Sequence, residues 1–378
     1  MDSWVGRPKA SVGSSHPTGQ AGFRQPRLHR HRIQAMKAII VTRQGHDVSN
    51  NVEFVADFPD PRPAAGQLLV RTEASSLNQL DLWVGRGVPG FEMDYPRIGG
   101  SDGVGTVVEV GDGVDESWLD QRVMINAAVF QDPTPRPGRR AAGEDIIMIG
   151  EHVNGTHAEF FVVPATNALV VSQVDPINAA AYGLTHLTAW RMMVTRARIQ
   201  PGSDVLIPGI GGGVALAALG IAQHLACRTI VTSRHQHKLD AALSLGASEG
   251  VLDEGQDFSG QVRSLTGKRG VDVCVDSVGK VVHESCLKSL ARGGTFVTCG
   301  CTSGRDPATD LARIFWNQLS ILGSTMGDMD EFQAASSLLK SGAIEPVIDS
   351  TWNPVEGRNA YERLESSKQF GKIVFDWR

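Results

Sequence analysis

Cysteine is scarce in this chain of 378 residues, and none precedes Cys227. The complete set is Cys227, Cys274, Cys286, Cys299 and Cys301. An odd number, without the spacing of a secreted disulfide framework, is typical of reduced thiols in a cytoplasmic protein. Cys299 and Cys301 close a predicted strand, where two core thiols are favoured over a redox or metal pair.

Long apolar runs and an excess of positive charge are also missing. No stretch is long and apolar enough to span a bilayer, and the net charge of −5 provides no basic field for nucleic acid. The remaining composition, 41% hydrophobic and 20% charged residues, is that of a globular protein long enough for two domains. We therefore expect a small-molecule ligand, and neither nucleic acid nor a membrane as a partner.

Residues 1–35 differ from the rest of the chain. They hold six Lys or Arg against one acid, Asp2, a net charge of +5, and their apolar residues follow no period. Such a segment buries too little surface to offset its ordering entropy, so we predict a disordered basic extension. The alternatives are an Arg-rich transit peptide and a start codon assigned upstream of a natural beginning at Met36.

Residues 36–171 carry short apolar runs separated by Gly, Pro, Asp and Asn, which predict a mostly antiparallel, barrel-like domain. The clearest runs are Lys37–Val41, Gln67–Arg71, Gly105–Val110 and Glu159–Val163. The polar segment Gln131–Gly143 is a predicted loop within this domain.

Residues 172–325 have a different rhythm, in which apolar strands alternate with amphipathic helices after a helical stretch at 176–199. This alternation is typical of α/β folds, and we predict a six-stranded, doubly wound parallel sheet that binds a dinucleotide. The predicted strands are Asp204–Pro208, Arg228–Ser233, a short one at Val251, Val271–Asp276, Gly294–Cys299 and Leu319–Ser324. Residues 326–378, with strands at Ile344–Asp349 and Gly371–Phe375, are expected to return and complete the first domain.

A glycine-rich turn, VLIPGIGGGVA at 205–215, joins the first of these strands to a helix. Its spacing is closer to G-x-x-G-x-x-A than to the strict G-x-G-x-x-G fingerprint, and alanine is tolerated in the last place. Backbone without side chains can approach a pyrophosphate closely, and the N–H groups at the helix start face the anion. The predicted cofactor-binding residues here are Gly209, Gly211, Gly212, Gly213, Val214 and Ala215.

The end of the second strand indicates which dinucleotide binds. NAD enzymes place an acid there for the ribose hydroxyls, whereas this chain has Ser233, Arg234 and, one turn later, Lys238. A hydroxyl with a guanidinium favours a 2′-phosphate, so we predict NADPH; the alternative is that Arg234 is a solvated surface residue. Three further residues follow strands at the carboxyl edge and are expected to line the cofactor: Asp276, Val278 and Gly300.

Motifs on both sides of the glycine-rich turn resemble the medium-chain dehydrogenase/reductase family from about residue 36 to the end. They are SSLNQLD at 75–81, GGSDGVG at 99–105, HAE at 157–159, LTAWR at 187–191, GVD at 270–272 and DSVG at 276–279. The resemblance implies a GroES-like β-barrel domain and a Rossmann domain, with the active site in the cleft between them.

The active-site positions depart from the zinc-dependent members of that family. Where those members carry a cysteine this chain has Asn78, and where they carry a histidine and a glutamate it has Ser101 and Asp102; their third ligand falls near Thr185. Amides and hydroxyls are poor zinc ligands, and a catalytic zinc needs three His, Cys or carboxylate ligands, so we expect no metal.

The resemblance therefore points to the zinc-free quinone oxidoreductase branch. Asn78 followed by Asp81 matches that branch, and residues 126–154 lack the four cysteines of a structural zinc lobe. Without a Lewis acid, reducing the activated double bond of a quinone or an α,β-unsaturated carbonyl is easier than oxidising an alcohol. Hydrogen-bond donors then stabilise the developing enolate.

We predict that Asn78, Ser101 and Thr185 are the polar groups near the nicotinamide. Some members of the family use a tyrosine as proton donor, and Tyr182 is the best placed of the three tyrosines; solvent is the alternative source of the proton.

Three competing hypotheses stay open at this point. Gly99-x-Ser101-x-Gly103 matches the nucleophile elbow of a hydrolase, although a predicted strand follows it instead of a helix. A zinc-type alcohol dehydrogenase with altered ligands and a non-catalytic nucleotide-binding relative are the others. Family members often dimerise through the last strand of the Rossmann sheet, so we expect a homodimer that pairs Leu319–Ser324 edge to edge.

Overall fold

The structure, a computed structural model, describes residues 35–88, 90, 92–131 and 146–378. Apart from Ala35, the predicted basic extension at 1–35 lies outside the described residues, and so does most of the predicted loop Gln131–Gly143.

The first half of the described chain forms short strands around one helix, α1 (Gln79–Arg86). The strands are β1 (Ala35–Val41), β2 (Val52–Pro59), β3 (Gln67–Ser76), β4 (Arg97–Ile98), β5 (Asp102–Val110), β6 (Arg122–Ile125), β7 (Ala128–Phe130), β8 (Ile146–Met148), β9 (Phe160–Pro164) and β10 (Ala168–Val170). β3 pairs antiparallel with both β5 and β9, and alternate residues of β3, such as Leu68 and Val70, are fully buried. The GroES-like β domain is confirmed.

α2 (Pro176–Trp190) follows and continues into a π-helical turn, Arg191–Arg196. It begins where the sequence supplies a cap: the Asp175 carboxylate accepts from the N–H groups of Ile177 and Asn178, and proline occupies the first helical position. The N-terminus of α2 therefore coincides with the start of the helical stretch predicted at 176–199.

The second half of the chain forms a six-stranded sheet in which all adjacent strands are parallel. The strands are β11 (Asp204–Ile207), β12 (Arg228–Ser233), β13 (Glu249–Leu252), β14 (Val271–Asp276), β15 (Leu290–Thr298) and β16 (Ser320–Gly323). Their order, β13-β12-β11-β14-β15-β16, is that of a doubly wound dinucleotide fold, so the predicted Rossmann sheet is confirmed.

Helices connect these strands and cover both faces of the sheet. They are α3 (Gly213–His224), α4 (Gln236–Ser244), α5 (Ser259–Leu265), α6 (Lys280–Ser289) and α7 (Leu311–Asn317). Along β11, Val205 and Ile207 belong to one hydrophobic cluster and Leu206 to another. A strand buried on both sides is the reason that its sequence is continuously apolar.

The last elements are α8 (Met329–Lys340), β17 (Ile348–Trp352), α9 (Gly357–Glu365) and β18 (Lys372–Asp376). β18 pairs antiparallel with β3 and parallel with β17, so the C-terminus joins the sheet of the first half. This is the pairing that the predicted return of residues 326–378 requires; the boundaries after residues 171 and 325 stay a prediction. None of the described helices has the length and apolar character needed to cross a membrane.

Two elements begin later in the structure than the sequence predicts. The strand expected at Ile344–Asp349 begins at Ile348, because Ile344 packs into the main hydrophobic cluster instead. The alternation of strands and helices also predicts a helix at Asp306–Phe315. In the structure this helix begins at Leu311, because the Asp310 carboxylate caps it by accepting from the N–H of Arg313.

Tyr182, the predicted proton donor, lies in the packed interface between α2 and α8. Its hydroxyl donates to the carbonyl of Ala335 at 2.8 Å, and its ring stacks on His186 with centroids 3.6 Å apart. The side chain is buried, and this burial raises its pKa. The prediction for Tyr182 was wrong: its proton is committed to a helix–helix contact.

Tyr182→Phe is expected to lower the free energy of unfolding by about 1 kcal/mol, because it removes a buried hydrogen bond. Tyr361→Phe is the matched control: the Tyr361 hydroxyl is equally buried but has no hydrogen-bond partner among the described residues, so its loss should cost nothing. Chemical denaturation of both variants measures the difference. Equal effects of the two substitutions would contradict the assignment of the Tyr182 hydroxyl to α8.

Candidate active site

A crevice of about 710 Å³ lies between the carboxyl ends of the parallel strands on one side and α1, α2 and β18 on the other. This is the place where doubly wound sheets bind their ligands. Residues from both halves of the described chain line it, among them Met148 and Arg234.

The glycine-rich turn forms the floor of this crevice. Gly209 has φ 67° and Gly211 φ 121°, conformations that strain residues with a side chain, and a Cβ on Gly209 would lie 2.6 Å from Val278. Gly212 is the N-cap of α3, and a Cβ there would meet no protein atom within 4 Å. The first N–H groups of α3 are therefore accessible to an anion in the crevice.

Gly213 is required for a different reason. A Cβ at this position would lie 2.7 Å from the Thr185 methyl group and 3.0 Å from Cδ of Lys372. Val214 also lines the crevice, whereas Ala215 faces the core and Gly211 lies behind the turn, where its carbonyl accepts from Gly371. The turn thus fits the pyrophosphate of a dinucleotide, with Gly211 and Ala215 shaping it instead of contacting the ligand.

Arg234 and Ser233 line the crevice at the end of β12, and their contact with an adenosine stays a prediction. The guanidinium of Arg234 is exposed and has no hydrogen bond or ion pair with any residue that the structure describes. Ser233 Oγ accepts from the N–H of His235 at 3.1 Å, and its hydroxyl proton is available to a ligand. Asp253, which no motif marks, also lines the crevice, and its N–H donates to the carbonyl of Ser233 at 2.8 Å.

Lys238 lines the crevice but is largely occupied. Its Nζ donates to the carbonyls of Ser367 and Gln369, each at 2.8 Å, and burial lowers its pKa. It ties α4 to the segment that precedes β18, so one of its three N–H groups is left for a ligand.

Asp276 and Gly300 were predicted to contact the cofactor, but both lie behind the lining. Asp276 is fully buried, and its carboxylate accepts from the N–H groups of Val278 at 2.9 Å and Gly279 at 3.1 Å. Burial raises the pKa of Asp276 to about 6. Gly300 packs against the backbone of Ser277. The two residues hold the turn that presents Ser277 and Val278 to the crevice.

Asn78 and Thr185 line the crevice on the side of α1 and α2, and their position near a nicotinamide stays a prediction. Asn78 precedes α1, and its backbone N–H donates to the Asp81 carboxylate at 2.7 Å. Its side-chain Nδ2 donates to Asp102 Oδ2 at 2.9 Å, and its Oδ1 accepts from Lys372 Nζ at 2.5 Å. Thr185 Oγ1 makes only long contacts, so it keeps hydrogen-bonding capacity for a ligand.

Ser101 does not reach the crevice. It is buried, and a Cβ on Gly150 would lie 3.0 Å from its Oγ, which has no hydrogen-bond partner among the described residues. β5 follows directly, so the prediction for Ser101 was wrong, and a buried hydroxyl before a strand also lacks the exposed elbow of a hydrolase nucleophile.

Lys372 lines the crevice although no motif in the sequence marks it. Its Nζ lies 3.0 Å from Asp102 Oδ2, and both side chains are buried, at 4% and 1% exposure. The signal in the sequence is the apolar run KIVF, which begins at Lys372 and predicts a buried strand. A lysine in a buried strand is expected to have a charged partner. Its partner lies 270 residues away, and only the pairing of β18 with β3 brings them together.

These side chains do not fit a zinc ion. Asp102 Oδ2 accepts from Ser76, Asn78 and Lys372, and Asp102 Oδ1 accepts from the N–H of Leu184 at 2.7 Å. An ammonium group thus occupies the neighbourhood of the one carboxylate. Within the described ranges, no three His, Cys, Asp or Glu side chains are grouped to hold a metal.

Other residues of the crevice carried no signal in the sequence. α1 presents Gln79, Trp83 and Arg86 to it, spaced along one helix face. Glu151 lines the same end as Met148, and burial raises its pKa. Cys299 also lines the crevice, and burial raises its pKa to about 12, so its thiol stays protonated.

Comparisons with known proteins agree with this architecture. Residues 64–173 match the family model described as alcohol dehydrogenase GroES-like domain, and residues 213–341 match the one described as zinc-binding dehydrogenase. The chain is similar to the crystal structure of an NAD-dependent alcohol dehydrogenase, with 34% identity and a TM-score of 0.85 over 91% of this chain and 100% of that one.

Two curated relatives match nearly their full lengths. Acryloyl-coenzyme A reductase of Metallosphaera sedula is 27% identical over 90% of this chain and 99% of the relative. Quinone oxidoreductase of Rattus norvegicus is 25% identical over 85% of this chain and 93% of the relative. With both domains matched and the crevice in the expected place, the chain is an oxidoreductase that belongs to the medium-chain dehydrogenase/reductase family.

Proposed function

We propose that this chain reduces quinones or α,β-unsaturated carbonyl compounds with NADPH and without a metal ion. The observation that carries the proposal is the Asn78 carboxamide, which lines the crevice where zinc-dependent members hold their first ligand and which is bonded to an ammonium and a carboxylate. A hydrogen-bond donor at that point suits an oxygen that gains negative charge during the reaction. The names of the rat and Metallosphaera relatives, a quinone oxidoreductase and an acryloyl-coenzyme A reductase, support this class of substrate.

The residues of the chain bind, orient and exclude water. The N-terminus of α3 attracts the pyrophosphate, and Gly212 leaves room for its close approach. When bound, the nicotinamide supplies the hydride. Asn78 Nδ2 donates to the substrate oxygen, and solvent supplies the proton because Tyr182 is committed to α8.

The choice of NADPH over NADH depends on opposing charges at the adenosine end. Arg234 is exposed and unpaired among the described residues, and Lys238 keeps one N–H, so both attract a 2′-phosphate. Asp253 repels it. Two cationic side chains, Arg234 and Lys238, lie at this end of the crevice with one carboxylate, so the balance of charge favours a 2′-phosphate.

The oligomer that we propose is a homodimer built on β16. β16 is the edge strand of its sheet, and α7 beside it exposes Leu311, Phe315 and Trp316, the last two at 69%. An edge strand with an apolar helix next to it is a self-complementary surface, which a second copy of the chain covers by antiparallel pairing.

A substrate panel tests the function. We expect steady-state oxidation of NADPH with quinones or enones, much slower oxidation of primary and secondary alcohols, and no loss of rate after dialysis against a chelator. Asn78→Ala should lower kcat at least about tenfold, because it removes a donor to the developing oxyanion. Alcohol oxidation that follows the zinc content would favour the altered zinc enzyme, and tight nucleotide binding without turnover of any substrate would favour the non-catalytic relative.

Two substitutions test the cofactor. Arg234→Ala should weaken NADPH binding about 10- to 100-fold and leave NADH binding nearly unchanged, since a charge-assisted contact to phosphate contributes about 1.5–3 kcal/mol. Asp253→Asn should shift the preference toward NADPH. Fluorescence titration of both dinucleotides gives the ratio of dissociation constants; a ratio that is indifferent to Arg234 would rule out its role.

Sedimentation equilibrium tests the dimer. The wild-type chain should sediment at twice its mass of 40.5 kDa, and the double variant Phe315→Ser/Trp316→Ser at that mass. Val355→Ser, which changes a residue of similar exposure between β17 and α9, away from β16 and α7, should stay dimeric. A wild-type monomer, or a double variant that remains a dimer, argues against pairing through β16.

A further inference from the structure

The side chains of Asn78, Asp102 and Lys372 form a closed triangle beside the crevice. Lys372 Nζ lies 2.5 Å from Asn78 Oδ1 and 3.0 Å from Asp102 Oδ2, and Asn78 Nδ2 lies 2.9 Å from that same carboxylate oxygen. We propose that Lys372 and Asp102 are positioning residues that fix the orientation of the Asn78 carboxamide and leave one N–H for the substrate oxygen. The inference rests on the proposed function, since it names what makes Asn78 a donor.

The chemistry of the three groups dictates the orientation. An ammonium only donates hydrogen bonds, and a carboxylate only accepts them. The amide atom that faces Lys372 must therefore be the oxygen, and the atom that faces Asp102 must be the nitrogen. Rotating the carboxamide by 180° would place N–H groups against the ammonium and the carbonyl against the carboxylate, which are two repulsive contacts in a buried setting.

The remaining hydrogen-bonding capacity follows from a count. A carboxamide has two N–H groups, and Asp102 takes one of them. The other belongs to a side chain that lines the crevice. Asp102 itself has no competing role, because donors from β3, α2 and β18 already surround it: Ser76 at 3.1 Å, Leu184 at 2.7 Å and Lys372.

Burial strengthens the electrostatic preference for one orientation of the Asn78 carboxamide. Asp102 and Lys372 are screened from water, so their charges act on the amide at low effective dielectric. The charges also cancel each other, so the triangle adds no net charge to the crevice. Asn78 therefore offers a neutral, pre-oriented donor that needs no rearrangement when charge develops on the substrate.

Nuclear magnetic resonance of the full chain, labelled with ¹⁵N-asparagine, tests the orientation without any turnover. The side-chain signal of Asn78 is assigned by its absence in Asn78→Ala. One of its two protons should be protected from exchange with water, and Asp102→Asn should shift both protons and remove the protection. Asp257→Asn is the control, because Asp257 forms a similar pair with Lys288 at 2.9 Å on the surface. An Asn78 signal that is unaffected by Asp102→Asn overturns the proposal.

A double-mutant cycle tests the consequence for catalysis. With NADPH and an accepted quinone or enone, Asp102→Asn should lower kcat about tenfold or more in the wild-type background. In the Asn78→Ala background the same substitution should change kcat less than about twofold, because the group that it positions is gone. Equal factors in the two backgrounds would show that Asp102 acts independently of Asn78.

Two further variants separate positioning from folding. Lys372→Arg keeps a donor-only charge and should retain more kcat than Lys372→Met. If Asp102→Asn does not fold, the pair Asp102→Leu/Lys372→Met removes both buried charges together and serves in its place, with the same loss of protection expected for the Asn78 amide. If Lys372→Arg is no better than Lys372→Met while both fold, Lys372 does not orient the amide.

The outcomes distinguish this inference from the proposed function. If the wild-type chain reduces no quinone or enone, the proposed function fails, and the amide spectrum still decides the orientation. If turnover is present but the spectrum and the cycle ignore Asp102, only the inference fails.

Discussion

β18 lies antiparallel to β3, and the crevice depends on this contact more than on any other. The pairing sets Val374 opposite Ser76, and the N–H of Leu77 extends it by donating to Ile373 at 2.9 Å. This register places Lys372, the first residue of β18, next to Asp102. It also places Lys372 within hydrogen-bonding distance of Asn78, the residue before α1. Buried opposite charges are stable only when they meet with good geometry, so the strand pairing and the ion pair reinforce each other.

The elements of the fold follow from patterns that are local in the sequence. The continuous apolar strands of residues 204–276 and the glycine-rich turn at 209–213 identify a parallel sheet and its phosphate-binding edge, because burial on both faces and close backbone approach leave signatures within a few residues. Capping decided the ends: Asp175 and Asp310 start their helices where their carboxylates reach free N–H groups. The late start of β17 at Ile348 shows where local patterns fail. Ile344 is β-branched and favours a strand, but its packing in the core overrides that preference.

The site was only partly predictable, because sequence patterns are local and the site is assembled from distant elements. Gly212, Arg234 and Asn78 occupy motif positions, and each lines the crevice. Ser101 and Tyr182 also occupy plausible positions, but the direction of a side chain depends on which elements pack against it. The turn at Gly150 covers Ser101, and α8 covers Tyr182. Lys372, Asp253 and Glu151 reach the crevice from elements distant in sequence, and no local pattern encodes such a meeting.

The bonds of Lys238 have a mechanical consequence. Lys238 holds the carbonyls of Ser367 and Gln369, and the N–H of Gly371 donates to Gly211 at 3.0 Å, so three hydrogen bonds fasten the glycine turn and α4 to the chain entering β18. At about 1 kcal/mol each, they resist separation of the glycine-rich turn and α4 from the segment that precedes β18. The glycine-rich turn, α4 and the start of β18 are therefore held in a fixed relation on this side of the crevice, independently of any contact that a ligand makes.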